Sequence, residues 1–331
     1  MEGTNAGPSA DGADEGPEPK PSIDRARLAV GIGVLCVALA GAAIAVYRNR
    51  ESFVDTIKHI GPAAVIASIV FGLIGVGSTY PTWRQVLGGL GVDLRWGPGA
   101  RVFFTSQLGK YVPGSVWPVV MQMEVGRAGG ASRRTMLGAN ITAIFISCSA
   151  GLIVAAAVLP VYDAHALEHY WWGLLALPFL LVMLHPRALP GLMDRVFALF
   201  HRPPLGERLD AHHEARAFGW AFLTWVALGV HLAVLAGAAS HWSVSMFLLC
   251  IGGMALAVPL GILFIPAPAG AGIRDVILLL VLGSAVGSSE ALAIVVASRA
   301  VLIGCDLLVA GLAAATVRRT GALISSPPRP A

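Results

Sequence analysis

The chain has 331 residues, 56% of them hydrophobic and only 13% charged, with a formal net charge of +4 and a mean hydropathy of +0.73. This composition indicates a multi-span α-helical membrane protein. The longest polar stretches, residues 1–27 and 185–216, are too short for an independent catalytic core, and the basic residues stand in connectors beside apolar runs, as the positive-inside rule requires, not in a nucleic-acid patch.

Residues 1–27, rich in Pro, Gly, Asp and Glu, are expected to be a disordered cytoplasmic tail. The apolar run Leu28 to Tyr47 is too long for the core of a signal peptide and is expected to be an uncleaved first span. A second span is expected over about Pro62 to Tyr80, then a loop carrying Arg84, Arg95 and Arg101.

The next stretch, TSQLGKYVPGSVWPVVMQMEVGR over Thr105 to Arg127, places Lys110, Glu124 and Arg127 among apolar residues and contains Pro113-Gly114 and Pro118. Proline disfavours helix in the residue before it, so a helix beginning near Val102 should break at Val112-Pro113-Gly114. Ser115 is suited to cap a second helix, with Pro118 tolerated in its first turn. These features predict a re-entrant hairpin, whose break must be packed in protein or line a hydrated cavity. The free N–H groups at Ser115 to Trp117, with Lys110 close by, make an anion seat. A helix kink with a snorkelling lysine is the alternative.

Within this stretch, Gly109 to Trp117, GKYVPGSVW, followed by Glu124 and Arg127, resembles the signature of the lysylphosphatidylglycerol-synthase transmembrane family, which includes free-standing flippase-like proteins. The resemblance implies a flippase-like membrane domain over about Ala63 to Val317, with Lys110, Tyr111, Ser115, Trp117, Glu124 and Arg127 at a substrate site. No soluble aminoacyl-transferase domain stands in the sequence, so lipid lysylation by this chain is not expected. A separately encoded lipid-modifying synthase is a candidate partner.

After Arg133 and Arg134 a third span is expected from Thr135 to Pro160. The connector 161–169 has no Lys or Arg and should face outward; His165 and His169, with Asp163 and Glu168, have the spacing of a metal pair but read as a solvated loop. Tyr170 to Trp172 anchor a short fourth span ending near His185. Leu189 to Phe200 carries an apolar stripe at helical spacing and reads as an interfacial amphipathic helix. Spans over Phe218 to Ala239 and Ser243 to Leu263 follow.

A second broken segment, Ile265 to Asp275, contains Pro266, Pro268, Gly270 and Gly272 and leads to Arg274. It resembles the same family's second signature, Pro-x-Pro-Gly-Gly-x-Gly-x-Arg-Glu, with Ala269 in place of a glycine and Asp275 in place of the glutamate. Asp275 is expected to orient Arg274. A final span is expected from Ala291 to Val317, where Arg299 and Asp306 stand seven residues apart on roughly one face. They are either a structural ion pair or part of a lipid path; an arginine at position 299 also fits the family's pattern.

Together these elements predict an all-α integral membrane bundle of about eight crossings plus the hairpin, with the two breaks marking an internal pseudo-repeat. Both termini, including residues 318–331, are expected in the cytoplasm and the protein in the plasma membrane. The four cysteines stand singly in apolar runs, and no nucleotide, zinc-protease or nucleophile-elbow motif occurs, so neither a cofactor nor catalysis is expected. Two breaks with cations in comparable places of the two halves favour a translocase for anionic or phosphate-bearing lipids. A membrane-embedded glycosyl- or aminoacyl-lipid transferase, or its accessory subunit, is the alternative.

Overall fold

The computed structural model describes residues 50–111, 117–128, 131–162, 210–263 and 272–316, with a few isolated positions such as Gly270. Among these residues the regular structure is helical: α1 (Arg50–Gly89), α2 (Trp96–Gln107), a 3-10 turn (Leu108–Tyr111), α3 (Trp117–Ala128), α4 (Arg133–Tyr162), α5 (Ala211–Ala239), α6 (Val244–Leu263), α7 (Ile273–Val286) and α8 (Ser288–Thr316). Five of them, α1, α4, α5, α6 and α8, are long and apolar enough to cross a membrane. The predicted spans at 28–47 and 170–185, the 161–169 connector beyond Tyr162, the amphipathic helix at 189–200 and both tails lie outside the described residues, save for the isolated helical positions Ile44, Tyr47, Gly191 and Arg195.

The helix ends follow local chemistry. Gly61 has φ +65 and breaks α1 just before Pro62, where the second span was expected to start. The Ser132 hydroxyl accepts the Thr135 N–H at 2.9 Å and the Ser243 hydroxyl the Met246 N–H at 3.0 Å, capping α4 and α6. The final span starts at Ser288, earlier than expected, because Gly287 at φ +89 ends α7 there. The expected 84–101 loop is mostly helix, a correction with a clear cause. Trp83, Val86 and Leu87 are buried, so α1 gains by running on to Gly89, and only about six residues turn before Trp96.

α1 lies along α5, which also packs on α4, α6 and α8. The helices approach closely because small residues face their neighbours. A Cβ at Gly229 of α5 would stand 2.4 Å from the Ile251 Cα of α6, and one at Gly75 of α1 would stand 2.7 Å from Leu228. Polar ties cross the same core. The Trp225 indole donates to the Ser147 carbonyl at 2.7 Å. His231 of α5, fully buried, reaches Ser68 of α1 at 2.7 Å and Ser298 of α8 at 2.9 Å. Its Nδ1 also lies 3.0 Å from the Ser68 carbonyl, which can only accept, so Nδ1 carries the proton and Nε2 accepts from Ser298.

An aromatic corner fixes the entry to the hairpin. Tyr80 and Trp83 of α1 pack on Phe103 and Phe104 of α2, and the Tyr80 hydroxyl donates to the Trp96 carbonyl at 3.0 Å. Arg84 stacks 4.7 Å over the Trp96 ring while its Nε donates to the Leu94 carbonyl at 3.0 Å.

Candidate functional site

The hairpin's first arm tightens before the break: α2 passes into the 3-10 turn that carries Lys110 and Tyr111. The break itself, with Pro113, Gly114 and Ser115, lies outside the described residues, and the second arm starts at Trp117 with Pro118 in its first turn. The two arms close on each other through small and polar residues. A Cβ at Gly109 would meet the Trp117 Cβ at 2.9 Å, and the buried Gln122 amide donates to the buried Ser106 hydroxyl at 2.8 Å.

The second break is set by a backbone contact. Gly270, at φ +67, brings its Cα against Gly261 of α6, since a Cβ at position 270 would stand 3.2 Å from the Gly261 Cα. The same Gly261 faces Arg274, whose Cβ would lie 3.3 Å from a Cβ added there. α7 then starts at Ile273, with the Asp275 Oδ2 accepting the Gly272 N–H at 3.2 Å to cap it. Asp275 and Arg274 are thereby delivered at the first turn of a new helix.

α8 joins the two breaks. Lys110 Nζ lies 2.7 Å from Asp306 Oδ2, and the Tyr111 hydroxyl donates to the same oxygen at 2.5 Å. Beside a carboxylate that can only accept, the Tyr111 hydroxyl is the donor. Seven residues back along α8, Arg299 Nη1 is paired with Asp275 Oδ2. The alternative in which Arg299 and Asp306 form an ion pair with each other is therefore replaced. Each reaches to a different break, because α8 lies between the hairpin turn and α7, and both partners come from segments distant in sequence. Asp275, expected to orient Arg274, stands within electrostatic reach of it, and its Oδ2 also serves Arg299 and the α7 cap.

Arg274 stands within electrostatic reach of Asp275, Arg299, Tyr111 and Asp306. Its Nε and Nη2 are out of contact with solvent and have no hydrogen-bond partner among the described residues, and Asp275 Oδ1 is in the same state. Burying such groups unpaired is costly. Nε and Nη2 share one edge of the guanidinium, the edge that grips two oxygens of a carboxylate or phosphate side-on. The cluster of described side chains thus holds Lys110, Arg274 and Arg299 against Asp275 and Asp306, one positive charge in excess, with that excess on the arginine whose edge is unpartnered.

The remaining predicted residues are placed differently. Trp117 packs against the Gly109 turn. Glu124 follows it two turns along α3, roughly 10 Å at the helical rise, and pairs with Arg133 of α4 at 2.7 Å, both half-exposed. Arg127 is in the last turn of α3. The structure brings Lys110, Tyr111, Arg274, Asp275 and Arg299 into one cluster and adds Asp306, whose partners sequence periodicity did not name. The signal for it was physical: a carboxylate in an apolar span needs a cation. His231 with Ser68 and Ser298 was also missed, because single polar residues in apolar runs carry no pattern. Among the described residues no group of His, Cys, Asp and Glu is arranged to hold a metal ion.

No protein-family model matches the chain, and no curated protein matches it.

Proposed function

We propose that this chain is a lipid translocase of the plasma membrane, moving a lipid with an anionic or phosphate-bearing headgroup between leaflets, with the Lys110–Arg274–Arg299 cluster as its headgroup seat. The observation that carries this is the unpartnered Nε and Nη2 edge of Arg274 inside a cluster with excess positive charge. A buried guanidinium edge without an acceptor is expensive unless an anion completes it during function. The cluster also joins two interrupted helices from the two halves of the chain, the arrangement by which transporters built from repeats form a central site. Asp275 Oδ1 would accept a hydrogen bond from a headgroup hydroxyl or amine. On this proposal the hairpin is re-entrant, the bundle has about eight crossings, and both termini are cytoplasmic.

Reconstitution into proteoliposomes with a fluorescent phosphatidylglycerol tests it. Arg274→Ala and Lys110→Ala should insert and fold but lose translocation, and Arg274→Lys should also fall well below wild type, because an ammonium cannot grip two oxygens side-on. Wild-type rates in both alanine variants would reduce the two breaks to structural kinks.

A further inference from the structure

The charges of the cluster specify more than an anion. We infer that Asp306 sets the valence of the headgroup the site accepts: one negative charge, held side-on by Arg274, with diphosphate headgroups rejected. This rests on the assignment of the cluster as an anion seat, which it deepens.

Lys110 and Arg299 are each committed to a carboxylate, Asp306 and Asp275 respectively. Among the described residues of the cluster one cation, Arg274, is left over, with two donors on one edge. Asp306 is 6% exposed, so charge imbalance around it is poorly screened by water. A singly charged group with two oxygens, a phosphodiester or a carboxylate, brings the cluster to neutrality. A diphosphate overshoots by at least one negative charge, and must either face the two carboxylates uncompensated or pull Lys110 away from Asp306. The second course leaves a carboxylate that is nearly out of water holding only the Tyr111 hydroxyl, a costly state. Asp306 therefore acts as an internal anion that keeps Lys110 from a second charge on the ligand. It acts on the ligand indirectly, by holding Lys110, and is a specificity-determining residue by position.

Changing the count of charges in the cluster should change the preferred ligand in step. Asp306→Asn adds one net positive charge and keeps an acceptor for Tyr111. Lys110→Met removes one positive charge. Lys110→Met together with Asp306→Asn restores the original excess of one, so the double variant should regain the wild-type preference although it has lost both residues.

The test uses the full chain in detergent and measures binding of two lipids with the same tails, dioleoylphosphatidylglycerol and dioleoylglycerol pyrophosphate, by native mass spectrometry. Dioleoylphosphatidylcholine serves as the blank. Wild type should prefer the phosphatidylglycerol by about tenfold or more, the scale of one unit charge several Å away in a partly screened site. Asp306→Asn should shift the ratio at least about tenfold toward the pyrophosphate by the same reckoning, and the double variant should shift it back. If Asp306→Asn fails to fold, the double variant and Lys110→Met carry the test: the former keeps the wild-type ratio and the latter weakens both lipids. Equal retention of both lipids by wild type, lost in Arg274→Ala, would overturn the valence rule while leaving the anion seat intact. Retention of neither above the blank would overturn both. Full competition by glycerophosphoglycerol, the tail-free head of the first lipid, would keep the valence rule but overturn a membrane lipid as the source.

Discussion

Two charges on one face of α8, Arg299 and Asp306, invite the idea of a mutual pair, and the structure instead ties each to a different segment. Double-mutant cycles separate these arrangements. Lys110 is 32% exposed and Asp306 6%; Arg299 and Asp275 are each 25% exposed. Breaking a fully buried pair costs roughly 3–5 kcal/mol and breaking a surface pair about 0–1 kcal/mol, so each of these partly buried pairs should cost about 2 kcal/mol when one partner is replaced by an apolar residue. Replacing both partners removes the stranded charge, and should cost no more than about 1 kcal/mol. The coupling energy within Lys110/Asp306 and within Arg299/Asp275 should therefore be about 3 kcal/mol, while Arg299/Asp306 should be additive to within about 0.5 kcal/mol. Equilibrium unfolding in mixed micelles with rising dodecyl sulfate, followed by tryptophan fluorescence, gives all three cycles. A coupling for Arg299/Asp306 as large as for the other two pairs, or additivity of Lys110 with Asp306, would refute the arrangement.

Other perturbations probe the scaffold. Gly229→Ala places a Cβ 2.4 Å from the Ile251 Cα, a backbone clash that α6 must move to relieve, and should lower stability by about 2 kcal/mol or more in the same unfolding assay. Gly109→Ala pushes on Trp117 where the hairpin arms meet; it should shift tryptophan emission and slow translocation while the unfolding midpoint moves little. His231→Ala strands the buried hydroxyls of Ser68 and Ser298 and should cost about 2–4 kcal/mol, partly recovered by His231→Asn, which supplies a donor and an acceptor. For topology, a cysteine at the exposed Trp242 should react with an impermeant maleimide in intact cells and one at the exposed Asp210 should not, since α5 joins these two positions; the opposite pattern would invert the orientation.

Much of this protein was legible in its residues. Apolar runs longer than a bilayer's width declare themselves as helices wherever they stand; α4, α6 and α8 begin and end within a few residues of the expected spans, and α5 ends at Ala239 as expected but starts earlier, at Ala211. Lys110 and Arg274 were identifiable because each follows or precedes a Pro/Gly break, a local signal that depends on no distant contact. The continuation of α1 to Gly89 was not, since it depends on the partners that bury Val86 and Leu87. Neither was the assignment of counterions. Helical periodicity places Arg299 and Asp306 on one face but cannot say which residues stand opposite, and a charge in a low-dielectric interior takes whichever counterion the packing brings within reach. Only the crossing of α8 between the hairpin turn and α7 decides that Lys110 meets Asp306, that Asp275 meets Arg299, and that Arg274 is left with an open edge.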